Sequence, residues 1–138
     1  AAGIAAAIFG QQNVVLMGVT AARIHHVIPR AIGNAVVAVP RQHRPVELED
    51  GGRVVFVVRD TGQLQARLET LETGKALVTT PEQTMIDLAK RPNLGGVPQE
   101  ARDALKNLVP LVDLEKVERL AQQQHTIKAW EIIRALHD

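Results

Sequence analysis

From Thr80 onward, apolar residues recur every three or four positions, the period of a helix with one buried face. The pattern predicts a helix that starts at Thr80 with Met85, Ile86, Leu88 and Ala89 inward. Thr80 is its N-cap, Pro81 takes the first helical position, and Gln83 stands where a capping-box partner reaches back. The segment RPNLGGVP, 91–98, ends this helix and reads as a linker. Three more helices are predicted. The first covers 98–109, with Ala101, Ala104, Leu105 and Leu108 on one face. The second is capped by Asp113 and turns Leu114, Val117, Leu120 and Ala121 inward. The third opens at Thr126, with Ile127, Trp130, Ile133 and Leu136 in register.

Before Thr80 the pattern changes. AGIAAAIF, 2–9, reads as a short alanine-rich helix ended by Gly10. The segment 10–19 has no decisive period. Thr20 is placed to cap a helix over AARIHHVI, which Pro29 stops. NAVVAVP, 34–40, is β-branched and bounded by Gly33 and Pro40, so it predicts a strand. PVELED and RVVFVVRD flank Gly51 and Gly52 and predict a β-hairpin. LQARLETLE, 64–72, fits a helix by its Leu64, Leu68 and Leu71 spacing, or a strand paired with KALVTT across Thr73 and Gly74; its C-terminal end favours the strand. Strands first and helices last predict an α+β fold: a small mixed or antiparallel sheet with a β-hairpin, followed by a C-terminal cluster of about four helices.

At 138 residues, one domain over 1–138 is expected. Apolar residues make up 46% and charged residues 22%, which excludes a disordered chain. Phe9, Phe56 and Trp130 are the only aromatic residues, too few for the base-stacking platforms of single-strand binders. The lack of cysteine excludes a disulfide framework, thiol catalysis and cysteine-based zinc sites, and favours the cytoplasm. No apolar run approaches the roughly 20 residues that span a bilayer, so no membrane partner is expected. The chain begins without Met, which suggests a fragment or a processed product with a partner domain upstream.

Net charge is only +1, but it is unevenly distributed. Up to Val46 there is no carboxylate, while Arg23, Arg30, Arg41 and Arg44 contribute +4; from Glu47 onward 12 basic residues face 15 acidic ones, giving −3. Guanidinium groups present a fixed fork of donors to phosphate or carboxylate. Arg23, His26, Arg30, Arg41, Arg44 and Arg53 are therefore the candidate set for binding nucleic acid or an acidic partner.

Several catalytic chemistries fail on spacing. A phosphate loop at Gly74-Lys75 has Ala76 where Ser or Thr is required and Glu69 where the first glycine belongs. Adjacent His25 and His26 point about 100° apart on a helix and do not chelate one ion. The chain has no serine. A metal-dependent nuclease built on Asp60 and Glu72 with Lys75 is the rival from another class, although Glu-x-x-Lys puts the last two on opposite faces of a strand. No cofactor, metal or catalytic residue is expected otherwise. Thr79, Thr80 and the free N–H groups of the helix start offer an anion site, but Glu82 in the first turn already complements the helix dipole. Thr80, Pro81, Glu82 and Gln83 thus read as a structural helix start, with Asp87 expected to pair with a neighbouring arginine.

GVTAARIHHVIPRAIGNAVVAVP, the hairpin strand RVVFVVRD, and TGKALVTTPEQTMIDLAKRPNLGG, in that order, resemble the C-terminal domain of AbiEi-type antitoxins. Thr80, Pro81, Glu82, Thr84, Asp87 and Leu88 match the family's Thr-x-Pro-Glu-x-Thr-hydrophobic-x-Asp-Leu helix when read from Thr79 and Thr80. The resemblance covers roughly residues 10–136. It implies a non-enzymatic antitoxin and transcriptional regulator of an abortive-infection toxin–antitoxin system, with a nucleotidyltransferase-type toxin and operator DNA as partners. It also implies an N-terminal winged-helix domain, which these 138 residues do not contain; the arginine lobe is then expected to contact DNA phosphates beside that domain.

Overall fold

The computed structural model describes residues 2–72 and 74–137. Among these, six strands form one mixed sheet: β1 (Val15–Leu16), β2 (Asn34–Val39), β3 (Val46–Glu47), β4 (Arg53–Val58), β5 (Ala66–Leu71) and β6 (Gly74–Thr79), in the order β3-β4-β2-β1-β6-β5. Six helices accompany them: α1 (Ala2–Phe9), α2 (Gly18–Ile24), α3 (Pro81–Lys90), α4 (Pro98–Leu108), α5 (Leu114–Gln123) and α6 (Ile127–His137). The fold is α+β, with the last four helices gathered at the C-terminal end.

β2 and β4 run parallel over six residue pairs, from Asn34↔Arg53 to Val39↔Val58. Their side chains alternate between two cores. Val36 and Ala38 join Val15, Val57 and the helices α3 to α6 on one face, while Val37, Val39, Val54 and Phe56 join Ala5 and Phe9 of α1 on the other. Burial on both faces explains why this part of the chain is an almost unbroken β-branched run. The predicted hairpin forms between β3 and β4 around Gly51 and Gly52, but β3 is only two residues long.

β5 and β6 form a second hairpin, in register from Ala66↔Thr79 to Leu71↔Gly74; Thr73 of the expected turn lies outside the described residues. The leucine spacing in 64–71 does not mark a helical face. Leu64 and Leu71 pack on the two cores, whereas Leu68 is 55% exposed.

Thr20 is not an N-cap. α2 begins two residues earlier, directly from β1, with Met17 in the cap position. The helix takes the place where β1 would otherwise continue beside β2, so the backbone of Val36 needs other partners. Met17 N–H donates to its carbonyl at 3.1 Å, and its N–H is taken by the Thr20 hydroxyl at 2.8 Å. α2 also ends before Pro29, at Ile24, because His26 adopts a left-handed conformation (φ 65°) and Val27 N–H closes back on Ala22 O at 3.1 Å.

The linker between α3 and α4 is packed in place. Gly95 has φ 97°, and a Cβ there would meet Val19 Cγ2 at 2.7 Å and Val36 Cγ2 at 3.2 Å. Its carbonyl accepts from Asn34 Nδ2 at 2.9 Å. Gly95→Ala therefore combines a left-handed alanine with overpacking and should lower unfolding free energy by about 2–4 kcal/mol. Gly33→Ala, where the added methyl meets nothing within 4 Å, is the control and should change stability by less than about 0.5 kcal/mol in the same urea titration.

Candidate functional site

β6 passes into α3 through Thr79 and Thr80, both buried. Thr80 has extended backbone, which leaves its hydroxyl free to accept the N–H of Gln83 at 3.3 Å, and Pro81 fills the first helical position. The same hydroxyl donates to Gln65 Oε1 at 2.6 Å, and Thr80 N–H donates to Gln65 O at 3.0 Å. The Thr79 and Thr84 hydroxyls bond each other at 2.7 Å. Glu82 turns away from its own helix start and accepts the N–H of Asp113, the α5 cap, at 3.2 Å.

Gln83 does not close a capping box. Its side chain is fully buried and uses all four hydrogen bonds that an amide can make. Oε1 accepts from Gln65 N at 3.1 Å and Gln124 Nε2 at 2.6 Å; Nε2 donates to Gln124 Oε1 at 3.1 Å and Asp87 Oδ1 at 3.0 Å. One side chain thus joins the segment before β5, the body of α3 and the C-terminal cap of α5.

Asp87 follows one turn later and is 7% exposed. Its Oδ1 is held by Gln83, while Oδ2 has no protein donor among the described residues. No arginine among the described residues makes the expected ion pair with Asp87. Arg59 is near enough to attract the carboxylate, but its Nη1 donates to Val58 O at 2.8 Å. Burial pushes the Asp87 carboxyl up from 3.8 to about 7, outweighing the Gln83 hydrogen bond and the attraction of Arg59 and Lys90. Asp87 lines a cleft of about 460 Å³ between the segment after β4, α3 and the turn from α5 to α6.

The candidate arginine set does not form one patch. Arg41 and Arg44 lie on the loop after β2, where Arg41 sits 5.0 Å over the Phe9 ring. His43, between them, packs 4.8 Å from Phe56 and 5.9 Å from Phe9, ring centre to ring centre, and donates from Nδ1 to Arg44 O at 2.7 Å. Arg23 and His26 belong to the opposite end of β2, about 17 Å away at 3.3 Å per residue. There they share an open cleft of about 740 Å³ with Glu69 and Glu72. Arg30 and Arg53 already have carboxylates. Arg30 donates to Glu100 Oε1 through Nε at 2.9 Å and again through Nη2, which holds the Glu100 carboxyl below its usual value; Arg53 Nε donates to Glu47 Oε1 at 2.6 Å.

Asp60 and Glu72 are not brought together. β4 and β5 have three strands between them, a separation of roughly 19 Å at the usual strand spacing, and the two carboxylates line different clefts. Among the described residues no group of three or more His, Asp or Glu is placed to hold a metal ion. His25 is structural: its Nε2–H donates to Thr79 O at 2.7 Å. No helix among the described residues is long and apolar enough to cross a membrane.

Sequence reasoning missed Gln65, Gln124, Arg59 and Lys90. The first two are amides whose partner, Gln83, lies 18 and 41 residues away along the chain, so no local spacing marks them. Arg59 and Lys90 each follow an apolar element as ordinary end residues, and only packing places them beside Asp87.

Gln83→Ala leaves Gln65 N–H, Asp87 Oδ1 and the Gln124 amide without their partner. At roughly 1–3 kcal/mol per buried unsatisfied group, it should cost at least about 3 kcal/mol in chemical denaturation. Asp87→Asn tests the raised carboxyl. A folded-state pKa above the unfolded one favours the folded chain fully below about pH 4, and this benefit is lost as pH rises through about 7. Between pH 5 and 8 the wild type should therefore lose about 2–3 kcal/mol relative to Asp87→Asn. Parallel pH dependences of the two proteins would contradict this.

Residues 13–137 match the family model of the AbiEi antitoxin C-terminal domain, and the chain belongs to that family. No curated protein matches it.

Proposed function

We propose that this AbiEi-family domain is a non-enzymatic antitoxin and transcriptional regulator that counteracts a nucleotidyltransferase-type toxin in the cytoplasm and supports operator DNA binding through phosphate contacts. One observation carries the DNA part of this reading. Arg41 and Arg44 are exposed, have no carboxylate partner among the described residues, and stand on a loop stiffened by the Phe9, His43 and Phe56 cluster. A guanidinium already held in position loses less conformational entropy on meeting a phosphate than one on a free stem. Arg23 and His26 form a second contact area beside Glu69 and Glu72. Arg30 and Arg53 contribute less, since phosphate contact requires breaking their ion pairs.

Affinity for a DNA duplex should fall with rising salt. The double variant Arg41→Ala, Arg44→Ala should make the slope of log K against log salt shallower by about 1.8, two phosphate contacts' worth, whereas Arg30→Ala should leave it nearly unchanged. Binding that ignores salt, or a double variant that keeps the wild-type slope, refutes the phosphate role of this loop. Incubated with Mg²⁺ and plasmid DNA the chain should leave the plasmid intact; cleavage lost in Asp60→Ala would overturn the non-enzymatic reading.

A further inference from the structure

We propose that this domain forms a two-fold dimer in which the free edge of β5 pairs antiparallel with β5 of a second copy, about an axis through Leu68. β5 is the last strand of the sheet, and β6 is the one strand bonded to it. The direction of its backbone groups follows from a single contact. Thr80 N–H donates to Gln65 O at 3.0 Å, so Gln65 and, by alternation, Arg67, Glu69 and Leu71 bond toward β6. Ala66, Leu68 and Thr70 then turn their N–H and C=O groups outward, where no other part of the described chain meets them. An edge of this kind is a template for another strand.

The side chains select the occupant and the register. Two antiparallel copies related by an axis at residue 68 set Leu68 opposite Leu68, and Arg67 opposite Glu69 on both sides of the axis. Leu68, 55% exposed, gains an apolar partner. Arg67 and Glu69, neither of them in an ion pair among the described residues, gain opposite charges at the non-hydrogen-bonded positions, where Cα atoms stand about 4.5 Å apart. An axis at residue 67 or 69 sets Arg against Arg or Glu against Glu, and one at 66 or 70 sets both charges against neutral residues. Charges on an edge strand usually keep a second copy away, and the order Arg67-Leu68-Glu69 does so in every register but one. That register also sets Glu72 of the second copy opposite Leu64, beside the cleft that Lys116 and Arg119 of α5 line with Gln65 and Ala66. The contact is one strand wide and falls below the roughly 1,200 Å² of a standard interface, so the dimer is a weak one.

The chain has no cysteine, so one introduced thiol reports the pairing. Leu68→Cys places two sulfurs at the axis, with Cα atoms about 5.5 Å apart, within the span of a disulfide. Thr70→Cys, also exposed on the outer edge, lies about 14 Å from its counterpart at four residues' distance along the strand. Under mild oxidation Leu68→Cys should therefore cross-link at least about tenfold faster than Thr70→Cys. Sedimentation of the intact chain at concentrations up to about 1 mM should show dimers. Arg67→Glu should weaken them about fivefold or more, and adding Glu69→Arg should restore them, because the double reversal again opposes unlike charges. Equal cross-linking rates, a chain that stays monomeric throughout, or a double reversal as weak as the single one overturns the proposal. A monomeric chain is also the result expected if the edge serves an extended segment of a different protein.

Discussion

The buried amide of Gln83 is the interaction on which the other parts of this domain depend. Four hydrogen bonds of 2.6 to 3.1 Å leave it no free donor or acceptor, and their partners come from three separate stretches of chain. An amide in a fully buried position is unfavourable unless every one of its groups is paired. The packing of α3 against α5 and the approach of the segment before β5 are therefore obligatory together, since slippage in one strands polar atoms in all. α3 also touches α2, α4, α6 and β6, so its placement determines that of the whole helical layer.

This arrangement explains how the polar stretch from Thr79 to Asp87 can mark a family while most of its atoms are structural. Thr80 and Thr84 hold the junction of β6 and α3, Glu82 binds the start of α5, and Gln83 holds the centre. Asp87 differs, because one of its oxygens is spent on the network and the other on nothing within the protein. A carboxyl kept close to its titration point in a cleft with two cations is chemically distinct from the exposed arginines. The molecule thus has two separate polar features, a cationic loop beside α1 and a buried carboxyl between the helices.

Legibility followed the range of the interactions. The four C-terminal helices, the hairpin at Gly51 and Gly52 and the strand at 34–39 were readable because caps, turns and periodicity act within a few residues. Thr20 was misassigned because its hydroxyl serves Val36, 16 residues away, rather than its own helix. The acid-free stretch before residue 47 looked like one cationic lobe, with Arg53 just beyond it, yet Arg30 finds its carboxylate on α4, Arg53 finds one on β3, and the other candidates lie at two ends of a strand.

By itself the sequence determined the α+β class, the helix starts at Thr80 and Asp113, and the family, since these rest on local patterns of residue type. Tertiary structure alone decided which cations remain unpaired, that Asp60 and Glu72 lie apart, and that Gln65, Gln124, Arg59 and Lys90 surround Gln83 and Asp87. The physical reason is that charge pairing and burial depend on distances between segments tens of residues apart, which no local spacing encodes.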